Sequence, residues 1–181
     1  MTEKRIVQEH LQKLSVDAVM VTPSHPERSN DKVFEQAKRQ LKKDNFYKCW
    51  VCNSERNLQV HHWWAEWSED LLIDKNLLKS LCDNFDIYGY SKKMHDIPIT
   101  EISDIRQLMV LCEEHHIGND STDGGTPTGI HFMPLPYWIL QKVCKKGLDP
   151  IPQESETLEF TEEKIKKFID NEVLNEQNEK P

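Results

Sequence analysis

The chain has 181 residues, 37% hydrophobic and 30% charged, with a net charge of −8; that is enough for one core with small appendages, and no apolar run approaches the length of a membrane span. The charge is uneven, net +3 over residues 1–48, −6 over 49–150 and −5 over 151–181. A dedicated nucleic-acid binder is usually basic, so this balance argues against tight, general DNA binding.

Residues 2–14 are expected to form a helix, because Ile6, Val7, His10, Leu11 and Leu14 recur at spacings of three and four behind Thr2. Residues 16–22 are β-branched and apolar and are read as a strand. After a turn over 23–30, Asn30 is expected to cap a helix to Lys43, with Val33, Phe34, Ala37 and Leu41 inward. Lys38, Arg39, Lys42, Lys43 and Lys48 lie on its other face and tail. They are either a solvated face or a patch that touches phosphates without reading sequence.

Residues 53–57 look like a turn and 58–64 like a strand. A helix is expected from Ser68 to about Cys82, with Glu69 and Asp70 at its positive end and Leu71, Leu72, Leu78 and Leu81 as its apolar stripe. Residues 83–100 are read as irregular, 107–111 as a short buried strand, and a helical turn opens at Glu113. The four glycines over 118–129 make a loop. Residues 130–136 are expected to be extended ahead of two prolines, followed by a helix over 137–146 with Gly147 past its end. Thr161 is expected to cap a last helix.

Cys49 and Cys52 are separated by two residues, as are Cys112 and His115. Each pair can turn both ligand atoms toward one ion, and two such pairs make a tetrahedral Cys3His zinc set. The bland alternative is that Cys49 and Cys52 are buried thiols. Cys82 and Cys144 fall on or near helix stripes and are read as core residues. Five cysteines is an odd number, and no apolar stretch follows the N-terminal basic residues. A reducing cytoplasm is therefore expected, without an export signal. His61, His62 and His116 are left over beside strand ends and knuckles. Neighbours on a strand face opposite sides, so one of His61 and His62 could be merely structural, covered by Trp63, Trp64 and Trp67.

Cys49-x-x-Cys52, Val60-His61-His62 and Val110-Leu111-Cys112-Glu-Glu-His115-His116 together resemble the HNH endonucleases of the ββα-metal superfamily. The resemblance covers residues 46–120. Residues 129–138 also look like a stretch of small phage-encoded proteins of this type. The resemblance implies an α+β chain with a zinc-stapled ββα-metal core, an inserted helical segment and flanking helices. Residues 1–45 would be a helical or mixed N-terminal extension, 46–147 the core with its insertion at 65–105, and 148–181 a linker with an amphipathic helix. It implies that Cys49, Cys52, Cys112 and His115 hold a structural Zn2+. His61 and His116 would bind a catalytic divalent cation (Mg2+, Mn2+, Ni2+ or Zn2+), and His62 would be the general base on the attacking water.

The chain departs from the family pattern in three places. Gln107 stands where the family has an Asn that orients the loop bearing the base. The segment from His62 to Gln107 is long. A further cation ligand is either Asp120, one turn beyond His116, or His131, returned by the glycine-rich loop, and His131 is preferred. The function expected is a metal-dependent endonuclease hydrolysing DNA phosphodiester bonds, in the cytoplasm, of the host if phage-encoded, with no membrane partner. The alternative is a catalytically silent zinc-stapled protein that binds another protein through its acidic surface, for instance as an inhibitor of a host protein.

Overall fold

The computed structural model describes residues 20–23, 31–118, 129–132 and 135–178. The helix expected over 2–14, the start of the strand expected over 16–22 and Asp120 lie outside them. Residues 20–22 are not strand; Val21 donates from its backbone to Pro150 O at 2.9 Å.

Helix α1 spans Lys32–Lys43. Its cap is Asp31 rather than Asn30, whose carboxylate accepts from Phe34 N at 2.9 Å. Ala37 and Leu41 are buried on its inner face, and Lys42 and Lys43 occupy its negative end. Residues 49–53 then turn tightly: Asn53 N donates to Cys49 O, and Trp50 N donates to Val110 O, each at 2.8 Å. Strand β1 is Leu58–His62, two residues shorter than expected.

The single helix expected from Ser68 to Cys82 is two elements. A 3-10 turn over Trp67–Leu72 starts behind Glu66, and helix α2 over Lys75–Asn84 starts afresh at Asp74, whose carboxylate accepts from Asn76 N and Leu77 N. Both elements bury leucines, but in different cores: Leu72 packs with Leu148, Ile165 and Ile169, whereas Leu78 and Leu81 pack with Trp64, Ile73 and Leu140. Gly89, with φ of +77°, opens a short helix α3, Tyr90–Lys93. A 3-10 turn over Ile105–Gln107 leads into strand β2, Leu108–Cys112, buried at every position. Helix α4, Glu113–His116, follows at once.

Ile130–Phe132 is a 3-10 turn, not extended chain, and helix α5 runs over Leu135–Val143. The last helix, α6, is Leu158–Asn178. It begins earlier than expected, because Thr157 Oγ1, not Thr161, accepts from Phe160 N; Thr161 is buried inside it. Among the described residues, no helix is long and apolar enough to cross a membrane.

The architecture is mixed α/β around a two-stranded antiparallel sheet, with Leu58 opposite Cys112, His61 opposite Met109 and His62 opposite Leu108. Side chains alternate across it. Leu108 and Val110 pack with Ala37, Leu41 and Tyr90 on the α1 side. Met109 and Leu111 pack with Cys49 and Cys112 on the other. A separate core joins Trp64, Ile73, Leu78 and Ile102 to Leu140 and Val143 of α5. Backbone bonds from Asp74 N to Val143 O and from Lys145 N to Leu72 O tie that junction.

Candidate metal centres

The turn at 49–53 and the start of α4 bring Cys49, Cys52, Cys112 and His115 together, with their ligand atoms all within 4.8 Å of one another. Cys52 and Cys112 sulfurs are 3.8 Å apart, Cys49 Sγ lies 3.6 Å from His115 Nδ1, and Cys112 Sγ lies 3.1 Å from the same nitrogen. A tetrahedron around zinc, with Zn–S of about 2.3 Å and Zn–N of about 2.0 Å, has edges of roughly 3.8 Å and 3.5 Å. The donor set therefore fits such an ion in both chemistry and spacing. Burial pushes the Cys49 thiol up, but backbone N–H groups of Cys112, Cys52 and Val51 outweigh it and bring it down to about 6. Cys112 moves the other way, through burial and the neighbouring Cys49 and Cys52 sulfurs. Crowded sulfurs of this kind need a cation before all can be thiolates.

The second group is His61, His116 and His131, also within 4.8 Å of one another. His116 Nε2 lies 3.2 Å from His61 Nδ1 and 3.1 Å from His131 Nε2. Three elements deliver these rings. His61 points from β1 to the face away from α1, His116 closes α4, and His131 sits on the 3-10 turn that packs against α4. Gly129 permits that last approach: a Cβ there would lie 2.4 Å from Gly118 N and 2.6 Å from His116 O. Burial, joined by the charges of His131, His116 and His62, holds His61 down at about 2. Burial and the His131 charge hold His116 at about 4, and burial lowers His131. Burial thus favours the neutral form of all three rings, the form a metal ligand needs. The two edges that meet at His116 Nε2, 3.2 Å and 3.1 Å, match the roughly 3.3 Å expected between nitrogens about 2.0 Å from one tetrahedral ion.

His62 is not brought to this cluster. Its ring lies on the α1 side of the sheet, 3% exposed, with Nε2 3.1 Å from Ser103 Oγ. It stacks on Phe34 at 5.4 Å between centroids. Ser103 in turn donates to Asp31, the cap of α1. Gln107 is fully buried. It donates from Nε2 to Ile102 O, accepts at Oε1 from Ala65 N at 3.4 Å, and accepts at its carbonyl from Trp63 N at 2.8 Å. It therefore fastens the chain that leaves β1 after His62. Cys82 is in the core, with its thiol pushed by burial up to about 12, and Cys144 stands apart from both clusters.

Sequence reasoning gave Glu66 and Gln59, beside the histidines, no role, and read Glu69 only as a charge at a helix start. Glu66 Oε1 lies 3.7 Å from His61 Nε2 and 3.6 Å from His131 Nδ1. Gln59 Oε1 contacts His116 Nδ1. Glu69 is buried and accepts from Glu66 N at 2.8 Å. A signal for the two carboxylates existed in Glu66-x-x-Glu69, an acidic variant of the capping-box spacing. No protein-family model, no curated protein and no solved structure matches this chain.

Proposed function

We propose that the chain is a metal-dependent endonuclease of the HNH, ββα-metal type that hydrolyses DNA phosphodiester bonds. Cys49, Cys52, Cys112 and His115 would hold a structural Zn2+. His61, His116 and His131 would hold a second divalent cation, for which three imidazoles suit Zn2+, Ni2+ or Mn2+ better than Mg2+. The observation that carries the reading is the convergence of three imidazoles from three separate elements. A scaffold that needs only its zinc staple has no use for them. Bound there, the cation supplies Lewis acidity toward a phosphoryl oxygen and the leaving oxygen. The chain's own residues set the stage for that. Gln107 fixes the exit of β1 and hence His61, and Gly129 lets His131 reach His116; exposed Arg39, Lys42 and Lys43 lie on α1, on the other side of the sheet from these rings.

One observation favours the second reading, a catalytically silent zinc-stapled protein that binds a protein partner. His62, the expected base, faces Ser103 and Phe34 on the other side of the sheet, and so is not placed to take the proton of a water at the three histidines. A nicking assay on supercoiled DNA with Mg2+, Mn2+, Ni2+ and Zn2+ in turn separates the two. Metal-dependent nicking lost in His61→Ala supports the nuclease. No nicking by folded, zinc-loaded protein with any of the four ions supports the binder.

A further inference from the structure

The three ring nitrogens that face one another use one side of each imidazole. The opposite nitrogens also converge, but on acceptors. His61 Nε2 and His131 Nδ1 both face Glu66 Oε1, at 3.7 Å and 3.6 Å, and His116 Nδ1 faces Gln59 Oε1. An imidazole that donates from one nitrogen presents a lone pair at the other, so an outer acceptor decides which tautomer a ligand histidine adopts.

We infer that Glu66 is a positioning residue for the three-histidine site, its one carboxylate oxygen holding His61 as the Nε2–H tautomer and His131 as the Nδ1–H tautomer so that both lone pairs meet that of His116. The inference rests on the cation site proposed above. At 3.6–3.7 Å the carboxylate acts on both N–H groups through its charge more than through a full hydrogen bond. That charge has a second use. Three neutral imidazoles bring no negative charge to a divalent ion, and Glu66 adds one just behind two of them.

The local chain is built to hold Glu66 in place. It stands at the start of the 3-10 turn over Trp67–Leu72, directly after the segment fastened by Gln107. Its backbone N–H donates to the buried Glu69 carboxylate. Gln59 shares a strand face with His61, two residues on, and does for His116 what Glu66 does for the other two rings. His61 and His131 come from distant parts of the chain, yet one carboxylate serves both.

The test uses the full chain loaded with zinc at the cysteine site and titrated with Ni2+ by calorimetry. Wild type should take up one further ion. Glu66→Ala should bind it roughly 10- to 100-fold more weakly, with Glu66→Gln in between, since the amide keeps an acceptor but not the charge. Nitrogen-15 spectra of the imidazoles before Ni2+ is added give a readout that a merely structural role would not move. His61 should be Nε2–H and His131 Nδ1–H in wild type, and each should populate its other tautomer in Glu66→Ala. If Glu66→Ala does not load zinc, the comparison is made on Glu66→Gln. Equal Ni2+ affinity and unchanged tautomers in a folded variant would overturn the inference while leaving the cation site standing. A wild type that takes up no second ion would overturn the cation site, and the inference with it.

Discussion

His61 and His62 are adjacent in the chain and lie on opposite faces of β1: one ring meets His116 at 3.2 Å, the other meets Ser103 at 3.1 Å. Substituting them should therefore separate binding from stability. His61→Ala should abolish uptake of a second divalent ion with a small change in unfolding free energy. His62→Ala removes a buried, stacked and hydrogen-bonded ring, and should destabilise the fold by about 2–3 kcal/mol, leaving second-ion affinity within a few-fold. Urea unfolding and calorimetry of the zinc-loaded variants measure both; a second site abolished in folded His62→Ala would show the two faces to be coupled.

Cys112→Ser should remove the staple. Zinc in structural sites of this kind contributes on the order of 10 kcal/mol to folding, comparable to the whole stability of a typical domain. The variant, or wild type stripped with a strong chelator, should lose the pairing of β1 with β2, seen as loss of amide protection over 58–62 and 108–112. Protection retained without zinc would mean that the apolar packing of β2 alone suffices.

Gly129→Ala places a Cβ against backbone atoms of Ile117 and Gly118 at 2.4–2.5 Å, and these cannot move aside as a side-chain tip can. His131 should be displaced from His116. Second-ion affinity should fall at least about 10-fold, as when a ligand's support is lost, with zinc stoichiometry at the cysteine site still one. Metal content after dialysis and a Ni2+ titration give both numbers.

Burial raises Glu69 to about 7. Between the ordinary carboxyl value of 4.5 and about 7, the folded chain binds a proton that the unfolded chain has released. Stability from this group is complete below pH 4.5 and is lost as pH rises through 7. The loss is of the order of 3 kcal/mol. Glu69→Gln keeps an acceptor for Glu66 N and carries no charge, so its unfolding free energy should lack this decline and exceed that of wild type at pH 8. Parallel slopes from pH 5 to 8 would locate the proton elsewhere.

The Cys3His set was legible because its signal is spacing, and a tetrahedral ion demands that spacing whatever lies between the pairs. The two strands were legible for a similar reason, as short apolar runs abutting the knuckles. Which of His61 and His62 faces the core was not. Period two says that one must, but the choice depends on which side α1 covers, and Phe34, Ser103 and Asp31 come from distant residues. The arrival of His131 was favoured over Asp120 on weak grounds. The close contact that delivers it depends on Gly129, one glycine among four. The helix expected from Ser68 to Cys82 failed because leucine spacing alone does not reveal a restart, although Asp74 ahead of Lys75–Leu77 is a fair cap. Glu66 was passed over because its two ring partners, His61 and His131, lie on separate segments.

The tight turn at 49–53 and the first turn of α4 carry the cysteine and histidine donors at the same end of the sheet. On the proposed zinc site, an ion held there would draw those ends together, set β2 in register against β1 and so bring His116 beside His61. The imidazole pocket would then depend on prior occupancy of the cysteine site. Metal supply would then act as a licence: a chain made under zinc scarcity would lack the second pocket altogether, whatever other cations surround it.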